Sequence, residues 1–282
     1  MTRLFRSLLF VPGTRPDRFG KAEAAGADAV VFDLEDSVTA DRKEDARQAV
    51  ARWLTTPAAP ATARIVRINA ASTPAFRDDL DWLATVAGLE AIMLPKAHDS
   101  WAIDHVASAS PGAPVIPLIE TARGVLNAFA MTAAKAEMPA LVFGADDLTA
   151  ELGVARTVDG EELLFARSQI VLAATAIGAD AIDGIVADIG NDDLLRRDAR
   201  RARALGFRGK LAVHPSQVSI INEVFSPTAE EVDRARRIIE AYDTAVAGGE
   251  GVLRLDGRMV DAPMVARARN VVALARRIEK RI

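Results

Sequence analysis

The sequence predicts a (β/α)8 barrel, a closed ring of eight parallel strands surrounded by helices, followed by a C-terminal lid segment. Three observations lead to this prediction: short apolar runs alternate with amphipathic helical stretches, eight such runs occur, and 282 residues are sufficient for one barrel. A doubly wound open sheet would produce the same alternation. The number and spacing of the runs favour the closed barrel.

The eight apolar runs have the composition of strands that are covered on both faces, as parallel strands usually are. Thr14 and Pro16 predict the start of the first helix, because threonine caps helices and proline fits their first turn. The predicted strands comprise residues 7–12, 29–33, 64–69, 91–96, 114–120, 140–144, 181–186 and 210–214. The helical patterns between them include residues 14–26, 41–54, 74–88, 121–136, 161–177 and 192–205.

The chain is predicted to have two parts, a catalytic barrel over residues 1–247 and an extension over residues 248–282. A Gly-rich segment marks the boundary between them. The extension contains a strand-like piece, a turn at Asp256-Gly257 and a basic helix. Since it follows the eighth strand–helix unit, we expect it to cover the mouth of its own barrel or of a neighbouring subunit's barrel.

Composition excludes several classes of function. The formal net charge of -4 argues against a nucleic-acid partner, which would be bound through a broad basic surface. The sequence contains no cysteine, which excludes disulfides, thiolate metal sites and a cysteine nucleophile. The first apolar run is too short to span a membrane and lacks a cleavage site. We therefore expect a cytoplasmic enzyme with a small-molecule substrate and no membrane partner.

Acidic residues are concentrated where the predicted strands end, which in a barrel is the side that carries the active site. Carboxylates that crowd together need a proton or a cation between them, and oxygen ligands select a hard ion such as Mg²⁺ or Mn²⁺. Glu120 and either Asp146 or Asp147 follow adjacent strands and can reach one ion. Taken alone, each acid fits a helix cap or a solvated loop better than a metal site, but together at one end of a barrel the acids favour a metal ion. The polar residues at the strand ends are Asp33, Glu35, Asp36, Arg67, Asn69, Lys96, Glu120, Asp146, Asp147 and His214.

These strand-end residues lie in motifs through which the chain resembles the citrate lyase β-subunit-like family of the HpcH/HpaI aldolase superfamily. Each motif is short, but all occur in order and extend over nearly the whole chain. They are RSLLFVPGTRP (6–16), VFDLEDSV (31–38), VRIN (66–69), MLPK (93–96), LIETARG (118–124), FGADDL (143–148) and VHPSQ (213–217).

The resemblance implies a metal site and the residues that surround it. Glu120 and Asp147 correspond to the ligands of Mg²⁺, for which Mn²⁺ is a possible substitute. Arg67 corresponds to the arginine that holds the thioester carbonyl oxygen or the substrate carboxylate. Glu35 and Asp36 would hold metal-bound waters and orient Arg67. Lys96 would equally fit a role in neutralising one of these two acids or a contact with the substrate.

The resemblance also implies how the substrate is held. Phe10, Arg15 and Lys21 match positions that contact coenzyme A, with the two cations at its phosphates. Lys21 and Arg15 would equally fit a solvated helix, and Phe10 would equally fit the core. Gly144 and Ala145 would direct backbone N–H groups at the carboxylate of a 2-keto acid.

In the extension, the motif GRMVDAP (257–263) resembles the lid of malyl-, citramalyl- and citryl-thioester lyases, which closes over an adjacent subunit's site. The resemblance implies that Asp261 is the acid or base at the acetyl carbon, and that the protein is a homo-oligomer, a trimer or a hexamer. Asp261 also occupies an ordinary N-cap position before the last helix, and both roles remain open.

The resemblance therefore implies a Mg²⁺-dependent carbon–carbon lyase. It would cleave a 3-hydroxyacyl-CoA thioester, such as malyl-, citramalyl- or citryl-CoA, into acetyl-CoA, or another acyl-CoA, and a 2-keto acid. In the reverse direction it would form the same thioester by condensation. The alternatives are the β subunit of a citrate lyase complex that acts on a carrier-protein thioester, a pyruvate-type aldolase that does not use coenzyme A, and a ligand-binding relative without activity. The set of Phe10, Arg15 and Lys21, together with the lid, favours coenzyme A.

Overall fold

The structure is a computed structural model that describes residues 3–59 and 61–280. Eight parallel strands close into a barrel in chain order, which confirms the predicted fold. Each strand pairs with the next one, and β8 pairs with β1 through Ser7 and Lys210. The strands are β1 (Ser7–Pro12), β2 (Ala29–Asp33), β3 (Ala63–Arg67), β4 (Ala91–Leu94), β5 (Val115–Ile119), β6 (Ala140–Phe143), β7 (Asp180–Asp183) and β8 (Gly209–Ala212).

Helices connect the strands and cover the outside of the barrel. Two 3₁₀ turns, Ala40–Arg42 and Glu161–Leu163, precede helices on the chain. The helices are α1 (Pro16–Glu23), α2 (Lys43–Leu54), α3 (Ala75–Leu83), α4 (Ser100–Ala109), α5 (Ala122–Leu126), α6 (Ala128–Met131), α7 (Ala145–Leu152), α8 (Leu164–Ala176), α9 (Asp192–Leu205) and α10 (Pro215–Val224).

Several boundaries differ from the sequence-based expectation. The N-cap of α1 is Arg15 rather than Thr14, and no side chain caps this helix. The helix expected over residues 121–136 is interrupted at Asn127, whose φ of -94° and ψ of 3° leave helical geometry, so two short helices form. The strand expected over residues 181–186 ends at Asp183, because its pairing with both neighbouring strands ends there.

Alternation along the strands decides which side chains enter the barrel. Successive side chains of a strand point to opposite faces, so residues two apart share a side. Ala29 and Val31 of β2 pack inside the barrel, as does Ile65 of β3. Val30 and Val66 pack instead in the layer between the strands and the helices. By the same alternation, the inward positions that follow at the C-terminal ends belong to polar residues, and these form the cavity described below.

The outer layer contains buried charges as well as apolar side chains. Arg167 of α8 donates two hydrogen bonds to Asp183 at 2.9 and 2.6 Å and a third to Asp198 of α9 at 2.9 Å. Lys210 of β8 donates to the same two carboxylates. Two cations and two anions therefore form one buried network that joins β7 and β8 to their covering helices.

The chain divides into two compact units at Ser226, and the second unit has its own small core. It consists of α11 (Ala229–Ala247), β9 (Leu253–Leu255), β10 (Arg258–Val260) and α12 (Ala262–Glu279). The two strands form an antiparallel hairpin whose turn residues, Asp256 and Gly257, have φ of 50° and 77°, as a type I′ turn requires.

The division falls before α11, whereas the sequence placed the boundary at residue 248, after this helix. The reason is that α11 and α12 share apolar contacts, with Ala235 of the first packed with Ala268 and Val272 of the second. None of the helices in the described part of the chain combines the length and apolarity that a bilayer crossing requires.

We predict that Arg167→Met lowers the free energy of unfolding by about 3–5 kcal/mol, because it leaves an uncompensated negative charge among buried groups. Urea denaturation followed by circular dichroism measures this loss. Arg196→Met is the control, since Arg196 forms its ion pair with Glu223 at the surface and should change stability little. An Arg167→Met protein as stable as the wild type would show that the network does not stabilise the barrel.

Candidate active site

A cavity of about 450 Å³ lies at the C-terminal ends of the barrel strands. This is the side of the barrel where enzymes with this fold carry their active sites. Apolar side chains of the strands, Leu118 and Leu211, form part of its wall. The structure brings together there seven residues predicted from the sequence: Phe10, Asp36, Arg67, Glu120, Gly144, Ala145 and Asp147.

Arg67 is fixed in this cavity by paired hydrogen bonds. Its Nε and Nη2 donate to the two oxygens of Asp33 at 2.7 and 2.8 Å, the parallel geometry that makes arginine–carboxylate pairs strong. Its Nη1 lies 2.8 Å from Oε2 of Glu35 and 3.6 Å from Oδ2 of Asp36. The guanidinium also stacks over the ring of Phe10, 4.8 Å from the ring centre. The positive charge of Arg67 is thus held at one place in the cavity.

The carboxylate of Asp33 also shapes the loop that carries Glu35 and Asp36. It accepts the backbone N–H of Glu35 at 2.9 Å and that of Ser37 at 3.1 Å. The charge and hydrogen bonds of Arg67 lower the pKa of Asp33 although burial opposes this. Asp33 therefore remains an anion and places both the guanidinium and the acidic loop.

Glu120 follows β5 and is buried in the cavity wall. Its Oε1 accepts the backbone N–H of Lys96 at 3.0 Å. Burial, followed by repulsion from Glu35 and Asp147, raises the pKa of Glu120 to about 8. Gly144 leaves room for this side chain, because a Cβ at that position would lie 2.4 Å from Cβ and 2.6 Å from Oε2 of Glu120.

Asp146 and Asp147 lie in the first turn of α7, where the positive end of the helix favours acidic side chains. Asp146 accepts a hydrogen bond of 2.9 Å from Arg156, which also donates to the carbonyl of Ile185 at 3.0 Å. Asp147 instead has its Oδ2 3.7 Å from Nζ of Lys96. Of the two acids that the sequence left open, Asp147 is the one that lies beside the groups around Glu120.

Lys96 extends its ammonium among the acids of the cavity. Its Nζ lies 2.6 Å from Oε1 of Glu35, 3.8 Å from Asp36, 4.0 Å from Glu120 and 3.7 Å from Asp147. These carboxylates raise the pKa of Lys96 although burial opposes this, so the side chain is a cation at neutral pH. One ammonium therefore lies within 4.0 Å of acids from two strand ends, those of β2 and β5, and from one helix, α7.

The donor set fits a divalent cation of the magnesium type. In the described part of the chain no cluster of three or more histidine, aspartate or glutamate side chains is arranged to enclose a metal ion. Mg²⁺ does not need such a cage, because it is usually held by one or two carboxylates together with waters and substrate oxygens. Glu120 and Asp147 can provide the two carboxylates, and the raised pKa of Glu120 shows that a cation beside it would be favourable. The buried Oε2 of Glu35 accepts no well-aligned hydrogen bond from the described residues and can accept one from a water.

The residues predicted to contact coenzyme A are divided by the structure. Phe10 lines the cavity. Arg15 and Lys21 lie on the exposed surface of the β1–α1 region, where Arg15 donates to Asp17 at 2.9 and 2.7 Å. Their role at the phosphates stays a prediction.

The predicted backbone donors are also divided. The N–H of Gly144 donates to the carbonyl of Ile119 at 2.9 Å, so this amide is engaged within the barrel. Ala145 is the first residue of α7, where amide groups have no acceptor within the helix. Ala145 is therefore the better placed of the two to bind a carboxylate, while Gly144 provides space for Glu120.

Asp261 is the N-cap of α12 and accepts the backbone N–H of Met264 at 3.1 Å. The predicted capping role is confirmed, and the catalytic role stays a prediction. His214 likewise caps α10 by accepting from Ser216, in agreement with a structural rather than metal-binding role.

Sequence reasoning assigned no role to Asp33 and did not recognise how many acids Lys96 contacts. A signal for Asp33 was present, because it follows the inward-facing Val31 by two residues and therefore points into the barrel. The ion pair of Lys96 with Glu35, one of its two expected roles, is present at 2.6 Å. Nothing in the sequence indicated that Lys96 also lies beside Glu120 and Asp147.

The barrel and the acidic, arginine-containing cavity at its C-terminal face define a (β/α)8-barrel enzyme. The chain belongs to the HpcH/HpaI aldolase/citrate lyase family, whose model matches residues 6–215. The predicted family is thus confirmed, and the protein is a lyase by family.

Three similar proteins show the range within this family. A citrate lyase subunit beta-like protein of Deinococcus radiodurans is 40% identical, covering 96% of this chain and 97% of its own. A (3S)-malyl-CoA thioesterase of Cereibacter sphaeroides is 37% identical, covering 97% of this chain and 95% of its own. The crystal structure of CitE from Mycobacterium tuberculosis in complex with magnesium, acetoacetate and coenzyme A superimposes with a TM-score of 0.83 at 36% identity, over 98% of this chain and 99% of that one.

We predict that the metal-free protein loses stability as the pH rises from about 5 to about 8. Glu120 has a higher pKa in the folded chain than in the unfolded chain, so the folded state binds the extra proton in this range and loses its advantage when the proton leaves near pH 8. Glu120→Gln, which cannot ionise, should lack this loss of stability. The difference in free energy of unfolding between Glu120→Gln and the wild type should therefore shift in favour of the variant by a few kcal/mol from pH 5 to pH 8.

Urea unfolding at a series of pH values in EDTA measures both curves. Glu223→Gln, at the surface, is the control and should follow the wild type. Parallel curves for the wild type and Glu120→Gln would contradict the raised pKa.

Proposed function

We propose that the protein is a Mg²⁺-dependent lyase that cleaves, or forms, the carbon–carbon bond of a 3-hydroxyacyl-CoA thioester such as malyl-, citramalyl- or citryl-CoA. The products of cleavage are acetyl-CoA, or another acyl-CoA, and a 2-keto acid. The observation that supports this most directly is that Glu120, Asp147 and the fixed guanidinium of Arg67 face one cavity. Magnesium and coenzyme A in the similar CitE structure support the same cofactor and substrate class.

Cleavage needs a cation on each side of the bond that breaks. On the keto-acid side, a Mg²⁺ ion held by Glu120 and Asp147 would supply Lewis acidity that makes the substrate hydroxyl more acidic. The hydroxyl proton would leave to a water or to a carboxylate of the cavity such as Asp36, as the carbonyl forms. The carboxylate of the keto acid has a donor in the first turn of α7 at Ala145, where amides are available to anions. Glu35 and Asp36 lie beside these groups and can accept hydrogen bonds from waters in the cavity.

On the thioester side, the electrons of the broken bond move onto the thioester oxygen as an enolate. Arg67 offers a positive charge whose position is set by Asp33 before the reaction begins, and such preorganised charge is what stabilises a developing anion. Leu118, Ile185 and Leu211 make part of the wall apolar, which limits water and strengthens this interaction.

The enolate must then gain a proton at carbon. Asp261 is the proposed acid, acting in the site of a neighbouring subunit within a homo-oligomer, a trimer or hexamer. Arg15 and Lys21 are proposed to meet the phosphates of coenzyme A, with Phe10 nearer the thioester. In the reverse direction the same groups would remove the proton and perform a condensation.

The decisive experiment is a product assay with malyl-, methylmalyl-, citramalyl- and citryl-CoA, in Mg²⁺ and in EDTA. A lyase releases a 2-keto acid and keeps the acyl-CoA thioester intact. A thioesterase, the activity named for the Cereibacter relative, would release the coenzyme A thiol without a keto acid. Turnover only with a carrier-protein thioester would identify a subunit of a citrate lyase complex. Turnover of a free keto acid with an aldehyde would identify a CoA-independent aldolase.

We predict that Glu120→Gln abolishes the Mg²⁺-dependent release of keto acid, because it removes a charged ligand from the site. Glu223→Gln, at a surface carboxylate outside the cavity, should retain wild-type turnover. Normal activity of Glu120→Gln would contradict the metal site.

We predict that Arg67→Lys lowers kcat by roughly 10²–10³, the usual effect of losing one preorganised electrostatic donor. The matched control is Arg64→Lys in the same strand. Arg64 points outward, away from the cavity, and its Nε donates to Oε1 of Glu23 at 2.6 Å. Steady-state kinetics of both variants, with thermal unfolding to compare their stability, separate chemistry from folding. An unchanged kcat for Arg67→Lys would exclude Arg67 from the chemical step.

A further inference from the structure

The backbone of Lys96 adopts a conformation that lysine rarely takes. Its φ is 52°, in the left-handed region that is uncommon for residues other than glycine. The N–H of this residue donates to Oε1 of Glu120 at 3.0 Å. The unfavourable conformation at the end of β4 thus accompanies a direct contact with a proposed metal ligand.

The side chain of Lys96 returns to the same group of acids. Its ammonium lies 4.0 Å from Glu120 and 3.7 Å from Asp147, the two proposed ligands, and 2.6 Å from Glu35 on the other side. The side chain is 31% exposed, so its acidic partners do not enclose it completely. Backbone and side chain of one residue therefore both contact the proposed metal site.

We propose that Lys96 is the built-in counter-ion of the metal site. Its ammonium lies beside Glu120 and Asp147 where a divalent cation would otherwise be needed, and the incoming cation displaces it from them. This inference rests on the proposed function, since it requires that Glu120 and Asp147 bind the metal.

The neighbouring acids make such an exchange feasible. Glu35 already accepts the ammonium at 2.6 Å, and Asp36 lies at 3.8 Å, so Lys96 keeps anionic partners after it leaves the ligands. A charge within a few ångströms changes the ionic equilibria of its neighbours by about tenfold or more. Lys96 therefore opposes cation binding directly, while it keeps the acids from repelling one another in the metal-free protein.

The test measures binding of Mg²⁺ alone, and of Mn²⁺ alone, by isothermal titration calorimetry, together with thermal unfolding of the metal-free protein. Lys96→Met should bind both ions about tenfold or more tightly than the wild type, yet unfold at a lower temperature when metal-free. Saturating Mg²⁺ should restore most of the lost thermal stability. Lys96→Arg, which keeps the charge, should retain wild-type affinity.

Lys43→Met is the matched control, because Lys43 donates to the carbonyls of Leu34 and Glu35 at 2.8 and 2.7 Å rather than to the carboxylates of the site. It should lose stability without a gain in affinity for the metal. Lys96→Gln, which keeps a hydrogen-bond donor for Glu35, is measured beside Lys96→Met and should also bind metal more tightly, so the test does not depend on one variant folding.

Two results would overturn the inference, and they differ in what else they affect. If the wild type binds Mg²⁺ and the neutral variants at Lys96 bind it equally or more weakly, the counter-ion role is wrong and the metal site stands. If neither the wild type nor these variants bind Mg²⁺ or Mn²⁺, the proposed metal site is wrong, and the counter-ion role is wrong with it.

Discussion

Inside the barrel mouth, the carboxylate of Asp33 accepts two hydrogen bonds from Arg67 and two from the backbone of the loop that follows β2. This single carboxylate determines where the guanidinium lies and how the loop presents Glu35 and Asp36. Because Arg67 lies 34 residues further along the chain, on the neighbouring strand β3, its contact with Asp33 depends on the pairing of β2 with β3. Folding and the geometry of the site are therefore achieved by the same interaction.

The cavity is costly in electrostatic terms. Burial and the neighbouring acids raise the pKa of Glu120 to about 8, which means that its anion is unfavourable in the folded protein without a cation. A barrel built for stability alone would place an apolar side chain there. Groups that weaken the fold in this way are typical of functional sites, where the missing partner is a ligand. Lys96 offsets part of the repulsion and links this cost to metal binding.

Much of the barrel and of its polar mouth followed from the sequence, because both depend on local patterns. Apolar runs predicted the strands, and the motif positions of Arg67, Glu120 and Asp147 placed them at strand ends, where alternation turns Arg67 and Glu120 inward. The proximity of Lys96 to Glu120 and Asp147 could not be predicted, because it depends on a left-handed backbone and on how distant strand ends meet. The boundary at Ser226 was missed for a similar reason, since α11 is assigned by its packing with α12 and not by the Gly-rich segment after it.

The metal site is tested most directly by a crystal soaked with Mn²⁺ in place of Mg²⁺, with diffraction data collected at a wavelength where manganese scatters anomalously. We expect one strong anomalous peak in the cavity, at about 2.0–2.2 Å from carboxylate oxygens of both Glu120 and Asp147, with the ammonium of Lys96 withdrawn toward Glu35. A peak bound by other residues, or no peak in this cavity at Mn²⁺ concentrations that support full turnover, would contradict the metal site.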